Sequence, residues 1–247
     1  RYLFPVVAPE PGKVERNNPL PFTDKHQFYN DTFNDNFDAK QLAPDWVFRR
    51  VPQPNTFSLN ANKGHLRLYL KPEAFQPRKR YSAIGITQKE SEFEWEAKMK
   101  FKPKKNLEEA GISVYQKDIN FVNLTVQKIG NEHFVKVTVK EKNNQVTAMT
   151  DSAKIPNTEV KAFKSKALPN YTGEILLKIA SKNGKYLYFF STDGGASYQK
   201  LAETPDNIVL GMMYTGANVG IYATSNGQKT TGYADFDWVN YKGFVKY

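Results

Sequence analysis

The chain has 247 residues, 40% hydrophobic and 14% aromatic, which is enough apolar surface for a real core and too much for a disordered chain. It has no cysteine, which excludes disulfides, Cys-ligated zinc and thiol catalysis, and no apolar run approaches the ~18 residues of a membrane span. The formal charge of +10 suits an acidic partner, but the lysines alternate with apolar residues and no nucleic-acid motif accompanies them, so they read as a solvated outer face.

Residues 1–31 carry Pro5, Pro9, Pro11, Pro19 and Pro21 among polar residues, the composition of an extended lead-in. Phe4, Leu20, Phe22 and Phe28 are available to anchor it. The sequence begins at Arg1 and the stretch from Tyr2 to Val7 is too short for a signal-peptide core, so a piece of a longer protein is expected.

From residue 32 onward the signal is β. His65 to Leu70 places Leu66, Leu68 and Leu70 on one face. Glu90 to Lys102 alternates strictly, with Phe93, Trp95, Ala97, Met99 and Phe101 opposite a row of glutamates and lysines. Period two over that length predicts a half-buried strand. Lys104 to Ala110 allows one helical turn at most. Phe121 to Gln127, His133 to Lys140, Ile175 to Ser181, Tyr186 to Ser191, Val219 to Thr224 and Ala234 to Tyr241 complete the predicted strands. Turn signals separate them, including Gly130-Asn131, Asn143-Asn144, Asn183-Gly184 and Asn226-Gly227. Met149 to Tyr171 is long, polar and lysine-rich and reads as a surface loop. The pattern predicts an all-β, two-sheet antiparallel sandwich over 32–247 behind the lead-in.

Few constellations carry chemistry. Glu92, Glu94 and Glu96 share a strand face as the carboxylates of some sandwich hydrolases do, but they run on into lysines, as a solvated face would. His26, His65 and His133 have no metal-ligand spacing. Asp35, Asp38, Asp235 and Asp237 lie near the two ends of the β region, and their hard oxygens suit a structural Ca²⁺; no other cofactor is expected. The Asn-x-Thr triplets at Asn30, Asn123 and Asn170 read as chance occurrences. Trp46, Trp95 and Trp238 are expected in the core. Tyr69, Tyr81, Tyr115, Tyr214 and Tyr222 are surface candidates for stacking on a sugar ring.

The order of motifs resembles a known family. Phe33-Asn34-Asp35-Asn36-Phe37, Trp46-Val47-Phe48-Arg49-Arg50-Val51-Pro52, Gly64-His65-Leu66-Arg67-Leu68, Ala110 to Tyr115 with Asn120-Phe121-Val122, Tyr188 to Gly194 and Ala234 to Trp238 together are similar to the C-terminal concanavalin A-like sandwich (a jelly roll) of glycoside hydrolase family 43 β-xylosidases and α-L-arabinofuranosidases. The resemblance covers roughly residues 32–241. It implies a secreted bacterial protein, extracellular or periplasmic, in which a catalytic five-bladed β-propeller precedes this domain. Residues 1–31 would then hold the propeller's last strand and a linker. It also implies no complete active site in this chain, a plant cell-wall oligosaccharide as the parent's substrate, and neither nucleic-acid binding nor a membrane span. In the family a sandwich loop closes over the propeller's sugar pocket. The corresponding region is Glu73 to Gln88, where Ile86-Thr87-Gln88 replaces the usual arginine pair. It offers Tyr81, Phe75 and Arg80 as capping residues, and Tyr69 and Tyr115 remain stacking candidates. The alternative is a free-standing, non-catalytic carbohydrate-binding module.

Overall fold

The computed structural model describes residues 31–76, 78–140, 161–209 and 215–244. Residues 1–30 of the lead-in, His26 among them, Tyr214, the Asn143-Asn144 turn and most of the Met149 to Tyr171 stretch lie outside them. The strands in chain order are β1 (Thr32–Asp35), β2 (Phe57–Ser58), β3 (Leu66–Tyr69), β4 (Ser82–Thr87), β5 (Glu92–Lys100), β6 (Glu109–Lys117) and β7 (Asn120–Ile129). They continue with β8 (Glu132–Lys140), β9 (Lys161–Ala167), β10 (Glu174–Lys182), β11 (Lys185–Ser191), β12 (Gln199–Pro205), β13 (Asn218–Thr224) and β14 (Tyr233–Phe244). One 3-10 turn at Asp206–Ile208 is the only helical element among the described residues.

Two antiparallel sheets result. One runs β12-β11-β10-β5-β14-β3-β2, with β1 also paired to β14; the other runs β4-β13-β6-β7-β8-β9. Strand β14 is long enough to carry β3 on its first half and β1 on its second. The Asn183-Gly184 pair closes the β10–β11 hairpin with both residues at positive φ, 51° and 72°, as a two-residue turn matching strand twist requires.

Alternation places the core where the sequence predicts it. Phe93, Trp95, Ala97 and Met99 of β5 are fully buried. They pack with Leu66, Leu68, Leu177, Ile179, Phe236 and Tyr241 in their own sheet, and with Ile112, Val114, Leu124, Val137, Val219 and Ile221 in the other. This is the interdigitated core of a sandwich. The Trp95 indole N–H crosses the interior and donates to the Gly220 carbonyl of the opposite sheet at 3.0 Å.

Three expectations change. Residues Lys161–Ala167, inside the predicted long loop, form edge strand β9 against β8. Ser82–Thr87, inside the predicted capping loop, form β4, so Ile86-Thr87-Gln88 stands at a strand end. Trp238 is half-buried and not in the core, because a register shift between Phe236 and Trp238 breaks the alternation and pairs Trp238 with outward-facing Lys98.

Glycines let β4 and β13 approach closely. Gly85 faces Gly220 across the pair. A Cβ on Gly220 would fall 2.5 Å from the Ile84 carbonyl oxygen and 2.9 Å from the Gly85 Cα, both rigid backbone atoms. Gly220→Ala is therefore expected to lower stability by about 1–3 kcal/mol through overpacking, read as an earlier urea midpoint. An unchanged midpoint would mean that the strands stand further apart than described.

Candidate functional site

A shallow cleft lies on the outward side of the β4–β13–β6 surface and holds about 230 Å³. That is below the ~300 Å³ at which drug-sized sites begin, so it has room for one small ring and not for a chain. The Gly85–Gly220 pair forms part of its floor. Arg49, Tyr81, Ser113, Tyr115 and Asn218 supply its polar lining.

One wall is an aromatic cluster. Phe75 sits at its centre, 2% exposed, with ring centroids 4.7 Å from Tyr81 (edge-on), 4.7 Å from Tyr115, 4.9 Å from Phe121 and 4.4 Å from Tyr222 (stacked). Tyr115, Phe121 and Tyr222 point outward from β6, β7 and β13. The loop carrying Phe75 covers them, which is why an outward-facing side of the sheet is apolar here. The two tyrosine hydroxyls converge on Asp118, at the β6–β7 turn. Tyr115 donates to Oδ1 at 2.6 Å and Tyr81 lies 3.0 Å from the same oxygen and 2.8 Å from the Tyr115 hydroxyl. Arg50 donates to Oδ2 at 3.1 Å. Burial pushes the Tyr81 phenol well above its ordinary range, and the neighbouring Tyr115 and Asp118 push it further; burial and the Asp118 carboxylate raise Tyr115. Both hydroxyls therefore stay protonated at physiological pH and act as hydrogen-bonding groups. The Arg49 guanidinium lies 5.8 Å from the Tyr115 ring centroid.

The predicted residues divide. Tyr81, half-buried, stands at the cleft. Phe75 and Tyr115 are buried behind it, so neither has a free face for a sugar, and Tyr222 at 2% exposed is likewise no surface tyrosine. Arg80 is exposed and lies with Val51 and Lys79 beside the cleft. Tyr69 is on the other sheet, half-buried, opposite Tyr233. Sequence reasoning missed Asp118 and Arg49. The only trace of Asp118 was an acid at the tip of a hairpin.

The four aspartates are not gathered into one donor set. Asp35 accepts from the Phe37 N–H at 2.8 Å and the Trp46 indole at 2.7 Å. Asp38 accepts from the Asn36 amide at 2.6 Å. Asp235 is clasped by Arg67 at 2.7 and 2.8 Å, and Asp237 pairs with Lys98 at 3.0 Å. Among the described residues no group of three or more His, Asp or Glu side chains is placed to hold a metal. The glutamate row is also dispersed: Glu92 accepts from the Asn183 N–H and Glu96 from the Tyr198 hydroxyl, with burial holding the Glu96 carboxyl above its ordinary range. No helix among the described residues is long and apolar enough to cross a membrane.

Two antiparallel sheets around one core, with an aromatic-walled cleft on an outer face, define a β-sandwich. The chain belongs to the family of β-xylosidase C-terminal concanavalin A-like domains, whose pattern it matches over residues 34–242. It is 31% identical over 241 residues to the non-reducing end α-L-arabinofuranosidase BoGH43B of Bacteroides ovatus, covering 97% of this chain and 42% of that protein. It is 25% identical over 237 residues to a xylosidase/arabinosidase of Butyrivibrio fibrisolvens, covering 95% of this chain and 43% of that one. Among solved structures, the Bacteroides ovatus xyloglucan-locus GH43B superposes with a TM-score of 0.76 at 27% identity, over 91% of this chain and 42% of that one. The xylan β-1,4-xylosidase of Bacillus halodurans shares the fold, with a TM-score of 0.74 at 22% identity, over 90% and 41%. The chain thus spans under half the length of the relatives it matches.

Proposed function

We propose that this domain works within a xylan- or arabinan-degrading glycosidase of the β-xylosidase or α-L-arabinofuranosidase type, where it buttresses a catalytic propeller and closes the rim of its sugar pocket. The observation that carries this reading is the fixed presentation of Tyr81. Its ring stands edge-on to Phe75, its hydroxyl is held by Tyr115 and Asp118, and it remains half-exposed at the cleft. A side chain anchored in this way excludes water and contacts a sugar at little entropic cost, without transferring a proton. Val47 and Val51, 41% and 77% exposed, lie on the adjoining segment and offer apolar surface to a neighbouring domain.

The test is hydrolysis of nitrophenyl β-xyloside and α-L-arabinofuranoside by this chain alone, by a catalytic propeller of the family alone, and by the two joined. The isolated chain is expected to be inactive and the joined protein active. In the joined protein, Tyr81→Ala is expected to lower kcat/KM by about tenfold, the order of one lost stacking contact. Hydrolysis by the chain alone, or an unchanged kcat/KM in the Tyr81→Ala protein, would overturn the proposal.

A further inference from the structure

A second and larger recess lies on the other sheet. Where β5 ends, the segment Lys100 to Lys105 faces the starts of β10 and β14 across a groove of about 530 Å³, which shares no lining residue with the first cleft. This volume is in the range of sites that hold several linked rings. One wall is Tyr233, 42% exposed and among the few large hydrophobic side chains that face solvent. The Arg67 guanidinium lies over this ring, 3.6 Å from its centroid. Arg67 is itself locked by two hydrogen bonds to Asp235, which also accepts from Asn62 at 3.0 Å. The tyrosine is therefore backed by a fixed cation, and half-buried Tyr69 stands opposite it on β3. An aromatic ring fixed in this way is a stacking platform for the apolar face of a sugar.

The charges around the groove are unequal. Its three carboxylates are all engaged. Glu108, 1% exposed, accepts from the Lys104 and Lys105 N–H groups at 2.7 and 3.0 Å and from the Thr230 hydroxyl at 2.5 Å. Glu174 pairs with Lys98 at 3.2 Å, and Asp235 with Arg67. Lys102 and Lys104, both exposed, have no carboxylate partner among the described residues. The Lys105 ammonium donates to the Lys229 carbonyl, and that of Lys100 meets His65 at 3.2 Å. Four lysines thus line the groove against three carboxylates, two of them held by hydrogen bonds or Arg67 and the third, Glu174, sharing Lys98 with Asp237, so positive charge is in excess next to a stacking platform.

We infer that this groove binds a carboxylate-bearing oligosaccharide, with one sugar ring stacked on Tyr233 and a uronic acid carboxylate met by Lys102 and Lys104. The choice of a sugar over another polyanion rests on the proposed glycosidase context; the choice of an acidic sugar rests on the charges. A domain carrying both sites would hold the charged part of a polymer at this groove while the first cleft serves the reacting end.

The experiment is calorimetric titration of the full chain with trigalacturonate and, in parallel, with neutral xylotriose. Trigalacturonate is expected to bind at least about tenfold more tightly than xylotriose, and to weaken as salt is raised. Tyr233→Ala and the double variant Lys102→Ser/Lys104→Ser are each expected to weaken it by about tenfold. All three side-chain changes lie at the surface, and an unchanged thermal midpoint verifies folding. Equal affinity for the two trisaccharides, indifference to both variants, or tighter binding of a short oligonucleotide would each overturn the inference. A Tyr81→Ala chain is expected to bind trigalacturonate normally, so failure of the pocket-closing proposal and failure of this one are read separately.

Discussion

Trp95→Ala is expected to lower the unfolding free energy by about 3–5 kcal/mol, the cost of emptying a large, fully packed site. Trp95 has no solvent exposure, and its ring meets Trp46 edge-on at 6.4 Å. Two losses combine. The indole leaves a cavity between the sheets, and the Gly220 carbonyl loses the donor that reaches it from the opposite sheet. Trp95→Phe separates them, since it keeps most of the volume and removes the N–H. It is expected to cost about 0.5–1.5 kcal/mol, the net worth of one hydrogen bond, because the Gly220 carbonyl keeps its place in the ladder opposite Ser113. Denaturant unfolding of the three proteins measures both. Equal stability of Trp95→Phe and the parent chain would mean that the cross-sheet hydrogen bond contributes nothing. Because Gly220 also floors the first cleft, Trp95 variants should disturb that cleft as well as the core.

Asp118→Ala is expected to destabilise the chain by about 2–4 kcal/mol, as two phenols each lose a charged acceptor. The Arg50 contribution is small, because that side chain is 38% exposed and its pairing is screened by solvent. Asp118→Asn keeps a hydroxyl acceptor and the shape of the site, and should recover more than half of the loss. The sign of the pH effect follows from the tyrosines. Burial raises both phenol pKa values, so the folded state holds these protons to higher pH than the unfolded chain does. Their contribution is complete below the unfolded tyrosine pKa of ~10 and is lost as pH rises beyond it. Parallel melts at neutral pH and above pH ~10 check the direction. A cluster whose stability rose through that window would contradict the buried, protonated arrangement.

Much of the fold was legible because strand alternation is local. Phe93, Trp95, Ala97 and Met99 announce a buried face within one short segment, whatever they pack against. The edge strand Lys161–Ala167 was not legible. It has one large apolar residue among three lysines, so nothing in its pattern separates a strand held by backbone pairing with β8 from a loop. The candidate site was half legible. The resemblance pointed to the segment holding Phe75, Arg80 and Tyr81, and Tyr81 does stand at a cleft. Tyr115 and Tyr222 were expected at the surface; both point outward from their sheet, but an outward side chain is not an exposed one when a loop 40 or more positions earlier in the chain folds over it. Asp118 depends on residues 50, 81 and 115 meeting in space, information that no single segment carries.

The open edges of the two sheets have a consequence for how copies of this chain meet one another. A bare strand edge is a template for the next molecule, and repeated pairing of that kind produces aggregates. Each edge described here is blunted in its own way. The β4 edge is occupied by Val47, which exchanges hydrogen bonds with Gly85 at 2.7 and 3.2 Å. Strand β2 is two residues long. Strand β12 ends in Pro205 and carries Lys200 and Glu203. Strand β9 turns exposed Lys164 and Lys166 to solvent. Part of the surplus positive charge is thus placed where it makes edge-to-edge stacking of identical molecules electrostatically unfavourable, and that placement favours dispersed molecules over fibres even with no ligand bound.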